Sequence, residues 1–127
     1  SFSGLKTSIM YFVRDSLKEN PEFLKENLND VCASVQDRII SILLNKMKKA
    51  SAQYQIKTIA IAGGVSANSG LRGALTDTAA LLNWDIYIPK FEYCTDNAAM
   101  IAIAGYHKYL NNDFVGQDIS PMARLQF

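Results

Sequence analysis

Cysteine, proline and histidine are scarce in this chain: two, three and one among 127 residues. Cys32 and Cys94 lie far apart and match no metal or redox spacing. They read as free thiols of a reducing, cytoplasmic compartment, with a disulfide between them left open. His107 is alone, so neither a Ser–His–Asp nor a Cys–His arrangement finds support. Charge of one sign is also lacking: 13 Lys and Arg face 12 Asp and Glu, which announces no nucleic-acid surface. The one basic cluster, Lys46, Lys48 and Lys49, falls at the end of an expected helix, where it complements the helix dipole. No apolar run is long enough to span a bilayer, and no signal peptide opens the chain. An initiator Met is missing too; Ser1-Phe-Ser-Gly-Leu-Lys-Thr7 opens in mid-pattern, as a piece cut from a longer protein would. No internal repeat or linker divides residues 1–127, so they read as a single domain with an irregular tail over 111–127, including Gly116 and Pro121.

What is there is a strand, a glycine turn and a helix. Thr58-Ile-Ala-Ile-Ala62 is an uninterrupted run of small and β-branched residues, the pattern of a strand buried on both faces in a parallel sheet. Gly63 and Gly64 follow, then Ser66 and Asn68, either of which can cap a helix. Leu71, Leu75, Thr78, Ala79 and Leu82 then recur at helical spacing. Such a turn has two open readings. Glycines let a ligand approach the backbone while the helix start favours an anion, most plausibly a phosphate; equally, two glycines only make a tight turn.

Before this unit, Ser3 is placed to cap a helix with Leu5, Ile9, Phe12, Val13 and Leu17 on one face. Asn20-Pro21 stops it, and Pro21 suits the start of the next helix. That second helix runs to about Lys49, with an interruption near Asn27 to Asn29 and a stripe of Leu28, Val31, Val35, Ile39, Ile42 and Leu43. After the unit, Trp84-Asp-Ile-Tyr-Ile-Pro89 reads as a second strand, parallel to the first because a crossover helix joins them. Lys90 to Tyr93 are loop, and an apolar helix spans Ala98 to about Leu110, closed by Asn111-Asn112. Two parallel strands leave two bare edges, so further strands are expected from elsewhere.

Asp96 follows the second strand as Gly63, Gly64 and Asn68 follow the first. Ligand sites in α/β sheets gather at the carboxyl ends of strands, so the amide of Asn68 and the carboxylate of Asp96 are expected to face one cleft. The alternative is that Thr95 or Asp96 merely caps the last helix; Thr95 in that role leaves Asp96 free. A continuous helix puts His107 roughly 16 Å from Asp96, too far to share a metal. A lone Asp is no metal site without further ligands, and no residue stands out as a catalytic acid, base or nucleophile.

Three segments in register carry a resemblance that goes further. Ser1-Phe-Ser-Gly-Leu-Lys-Thr7, Ala62-Gly-Gly-Val-Ser-Ala-Asn68 with Leu71-Arg72, and Cys94-Thr-Asp-Asn-Ala-Ala-Met100 with Ala104-Gly-Tyr106 resemble the carboxyl-terminal part of the TsaD family. These are the tRNA threonylcarbamoyladenosine transferases, formerly described as O-sialoglycoprotein endopeptidases. The resemblance implies an α/β fold: a fragment of the second lobe of an actin-like, sugar-kinase-like ATPase, helix-rich with a short parallel strand pair. It implies transfer of threonylcarbamoyl from threonylcarbamoyl-AMP to the N6 amine of the adenosine beside the anticodon. Asn68, with Gly63 and Gly64 as its turn, would contact ATP or the adenylate, and Asp96 would ligate one divalent metal, iron or zinc. Expected partners are tRNA, a paralogous scaffold subunit and a P-loop ATPase, with no membrane; Ile9, Phe12 and Val13 serve as core or as contact with them. The family's pair of histidines four apart on a helix is missing here, so this stretch alone is expected to be inactive. A non-catalytic paralogous scaffold and another actin-like kinase are the competing assignments.

Overall fold

The computed structural model describes residues 2–120 and 122. Along the chain come α1 (Leu5–Glu19), α2 (Phe23–Tyr54), β1 (Thr58–Ala60), α3 (Ser69–Leu82), β2 (Asp85–Tyr87) and α4 (Ala98–Leu110). Single 3-10 turns follow each strand, over Gly64–Ala67 and Phe91–Tyr93.

Local chemistry sets the helix ends, not always as the sequence suggests. The cap position of α1 is Gly4, at φ 83, rather than Ser3; glycine takes that left-handed conformation without penalty. Asn20 ends α1 in an extended conformation. Pro21 does not begin α2. The Asn20 side chain accepts from Glu22 N at 3.0 Å and donates to Glu26 Oε2 at 2.8 Å, which folds Pro21 into the corner. The expected interruption of α2 is present: Asn27 leaves the helical region at φ −121 and donates to Phe23 O at 3.0 Å. The helix runs on to Tyr54, so its last turn holds no basic residue. Lys46, Lys48 and Lys49 therefore lie along an exposed flank and do not cap the dipole.

β1 and β2 pair in parallel, with Thr58 opposite Asp85, Ile59 opposite Ile86 and Ala60 opposite Tyr87. Asp85 N to Lys57 O at 3.0 Å and Ile61 N to Tyr87 O at 3.1 Å extend the ladder by one residue at each end. Helices α2 and α3 pack on one face only. There Leu44, Leu75, Ala79 and Trp84 form the core, with Ile59, Ile61, Ile86 and Ile88 of the strands against them. Full burial of a large aliphatic side chain such as Leu75 stabilises by about 1.5–3 kcal/mol, and the partly buried isoleucines contribute less each. The expectation of a strand buried on both faces is thus corrected. Side chains alternate along a strand, and Thr58, Ala60 and Ala62 lie on the opposite face, which is exposed. Two further stripes shift. Leu28 and Leu82 are exposed while Leu44, off the expected stripe, is buried. Asn83, at φ 53, turns the chain so that Trp84 N bonds Ala79 O and the indole enters the core.

The last helix has the expected bounds, yet none of its residues is buried. Among the described residues of 111–120 no further helix or strand forms; the end of the expected tail, including Pro121, lies outside the described residues. No helix among the described residues is long and apolar enough to cross a membrane.

Candidate functional site at the strand ends

Because the strands are parallel, the turn after β1 and the loop after β2 leave the sheet at the same end. Gly63 adopts φ 80, ψ 176, a region that is essentially glycine's alone. Gly64 differs: its φ is not positive, and an added Cβ would meet nothing within 4 Å. Backbone conformation therefore explains Gly63 but leaves Gly64 without a structural requirement.

Ser66 closes the turn. Its N–H donates to Gly63 O at 3.0 Å, and its Oγ lies 2.7 Å from the same carbonyl and 3.3 Å from Cys94 Sγ. Ser66 and Cys94 are both almost wholly buried, so this contact joins the two strand ends in a dry setting. Arg72 adds to it, donating to Ser66 O, to Pro89 O and to Cys94 Sγ, with its guanidinium 4.1 Å over the ring of Phe91. Both cysteines are free thiols, Cys32 exposed and Cys94 buried.

Asn68 is the cap of α3. Its Oδ1 accepts from Leu71 N at 2.8 Å and its Nδ2 donates to Gln36 Oε1 at 3.0 Å. Both ends of the amide are engaged within the chain. It lines a groove of about 530 Å³ with Ile9, Val35, Gln36, Ile39 and Leu71, and Asp96 is not among that groove's lining residues. α4 is capped by Asn97, whose Oδ1 accepts from Met100 N at 3.1 Å, instead of by Thr95 or Asp96. Asn97 stands directly before Ala98, the position from which a side-chain oxygen reaches the N–H three residues on. Asp96 is left exposed, with no hydrogen bond or ion pair among the described residues. The structure thus joins Ser66, which closes the Gly63 turn, to Cys94 of the loop that carries Asp96, and turns the Asn68 side chain toward α2. His107 lies exposed on α4, its ring 5.8 Å from that of Tyr106.

Among the described residues no three His, Cys, Asp or Glu side chains gather as a metal site. Asp96 offers one carboxylate outside any such group, so the described residues do not form a metal centre by themselves.

A family model described as TsaD, tRNA N6-adenosine threonylcarbamoyltransferase, matches residues 1–103, a span that includes both strand-end turns. The chain belongs to the TsaD family. A tRNA N6-adenosine threonylcarbamoyltransferase of Cytophaga hutchinsonii is 56% identical over 126 residues, covering 99% of this chain and 37% of that protein. The protein of the same name from Christiangramia forsetii is 54% identical over 127 residues, covering 100% and 37% respectively. One from Chlorobium phaeobacteroides is 41% identical over 128 residues, 99% of this chain and 36% of its own. The chain therefore spans little more than a third of the length of the curated relatives it matches. As a TsaD-family chain it has the helix-rich α/β architecture of part of an actin-like ATPase fold.

The joint itself lies outside what the sequence pattern predicts. In the sequence Ser66 reads as a possible cap within one matching block, Cys94 as a free thiol that opens another, and Arg72 as part of a matching block. A signal was available: a serine two residues past a glycine pair and a buried-type cysteine after the second strand are the small polar groups that a close approach of two turns would need.

Proposed function

We propose that these residues are the second-lobe part of an enzyme that moves threonylcarbamoyl from threonylcarbamoyl-AMP to the N6 amine of the adenosine next to the anticodon in tRNA. One observation carries this reading: the two turns that bear the family's blocks leave the same end of a parallel pair and are joined through Ser66 and Cys94. Gly63 and Gly64 would floor the nucleotide, with Asn68 holding the turn and the start of α3 and reaching the ligand where Gln36 yields its bond. Gly64, which no backbone constraint accounts for, marks where the nucleotide comes closest. Asp96, exposed and unpaired among the described residues, would offer one oxygen to a divalent metal, iron or zinc, whose other ligands lie outside these residues. When bound, such an ion supplies polarisation of the carbamoyl carbonyl. The location we propose is the cytoplasm, with a paralogous scaffold subunit and a P-loop ATPase as further partners.

The test uses the full-length protein, threonylcarbamoyl-AMP, the partner subunits and tRNA, with the modified nucleoside read by mass spectrometry. Transfer should be robust in the wild type and fall at least about 100-fold in Asp96→Ala, as expected when a group that places the reacting atoms is lost. Absence of transfer by the wild type would shift the assignment to a non-catalytic scaffold. The 127-residue chain by itself should neither transfer the group nor bind metal stoichiometrically; finding either would overturn the idea that it is one part of the site.

A further inference from the structure

Beyond Tyr87 the two strands no longer pair, and what holds the turn after β1 against the loop after β2 is a small set of side chains. Arg72, at the end of the first turn of α3, reaches both. Its Nε donates to Ser66 O at 2.6 Å, its Nη2 donates to Pro89 O at 2.5 Å, and Nη2 lies 3.3 Å from Cys94 Sγ. Phe91 covers the guanidinium at 4.1 Å, although that ring is itself 62% exposed. No carboxylate pairs with Arg72 among the described residues. Its charge is directed instead at carbonyl oxygens from two segments, and a planar fork with donors in fixed directions suits that task. The loop has few other anchors: Phe91, Glu92, Tyr93, Thr95 and Asp96 are all exposed, and only Cys94 is buried.

We propose that Arg72 is a positioning residue, which sets the distance and angle between the glycine turn and the loop carrying Asp96. The inference rests on the proposed function, since only a reaction spanning both turns makes their spacing matter. Ser66 closes the glycine turn by bonds to Gly63 that do not involve the Arg72 side chain, and Asn68 caps α3 independently. Loss of the guanidinium therefore leaves the nucleotide floor formed and lets the Asp96 loop drift relative to it.

In the full-length protein, Arg72→Gln should lower kcat for threonylcarbamoyl transfer about 100-fold, the scale of an ångström-sized misplacement, with KM for threonylcarbamoyl-AMP nearly unchanged. Arg72→Lys should recover only part of that loss, because an ammonium cannot fork between two carbonyls. Phe91→Ala, at a largely exposed position, should cost about threefold in kcat, the scale of one exposed cation–π contact. Amide exchange in Arg72→Gln should quicken over residues 91–96 while exchange at Ser66, whose N–H is held by Gly63 O, stays at its wild-type rate. Normal kcat in Arg72→Gln, a loss that only follows the folded fraction, or unaltered exchange over 91–96 would each overturn the positioning role. A wild-type protein that transfers nothing overturns the functional reading instead, and the exchange data still decide whether Arg72 holds the loop.

Discussion

Helices α3 and α4 begin alike and end up in opposite surroundings. Each follows a strand and a 3-10 turn, and each is capped by an Asn whose Oδ1 accepts from the third residue on, Asn68 from Leu71 N and Asn97 from Met100 N. Yet α3 buries Leu71, Leu75, Thr78 and Ala79, while α4, the more apolar of the two, buries nothing. Ile101 is 76% exposed and Leu75 is 0%. Capping and composition decide that a helix forms and where it starts; they do not decide what it packs on. A helix apolar on every side is built for burial, and the described residues hold no surface that covers α4.

The largest test of this contrast is truncation at matched sites. Leu75→Ala should destabilise the chain by about 2–5 kcal/mol in urea unfolding, because it opens a cavity in the layer that α2, α3 and the strands share. Ile103→Ala should change the 127-residue chain by less than about 0.5 kcal/mol, as at any surface site. Equal costs would dissolve the distinction. In the full-length protein the Ile103 cost should rise, and a value that stays near zero there would show that α4 is never covered.

Next in size are the two glycines. Gly63→Ala should cost about 1–3 kcal/mol, since φ 80 with an extended ψ strains any side chain. Gly64→Ala should be neutral within about 0.5 kcal/mol, and in the full-length protein should raise KM for threonylcarbamoyl-AMP. A neutral KM at Gly64 would leave the turn a purely structural device.

The caps come third. Asn68→Ala should cost about 1 kcal/mol globally, because α3 is part of the cooperative core and the bond to Gln36 goes with it. Asn97→Ala should fray α4 locally, visible as faster amide exchange at Met100, without moving the global midpoint. The smallest effect lies on α1. Hydrogen bonds from Arg14, and then Lys18, hold the Asp15 carboxyl down to about 2 from its ordinary 3.8. A depressed folded value means the stabilisation is present above the unfolded value and is lost as pH falls through about 2. Asp15 is exposed, so NMR titration should show the low midpoint, and salt should move it back toward 3.8.

The sequence revealed the elements where local rules govern. The bounds of α4, the break at Asn27, the stop at Asn20-Pro21 and the parallel pair all follow from caps, proline and crossover length. It was less informative where a partner decides. Ala60 and Ala62 look as buried as Ile59 and Ile61 until it is known that helices cover one face only. Gly63, Gly64 and Asp96 could be placed at one sheet end from strand order alone. The commitment of Asn68 to Gln36, and the joining of Ser66, Arg72, Pro89 and Cys94, needed the fold, because those contacts link residues far apart in the chain and no spacing rule encodes them.

In the proposed function two turns, after β1 and after β2, act on one ligand. Hydrogen exchange on the full-length protein, with and without a stable threonylcarbamoyl-AMP analogue, tests it most directly. Slower exchange should appear together over residues 63–68 and 93–97. Protection confined to one of these segments, or found only elsewhere in the protein, would contradict it.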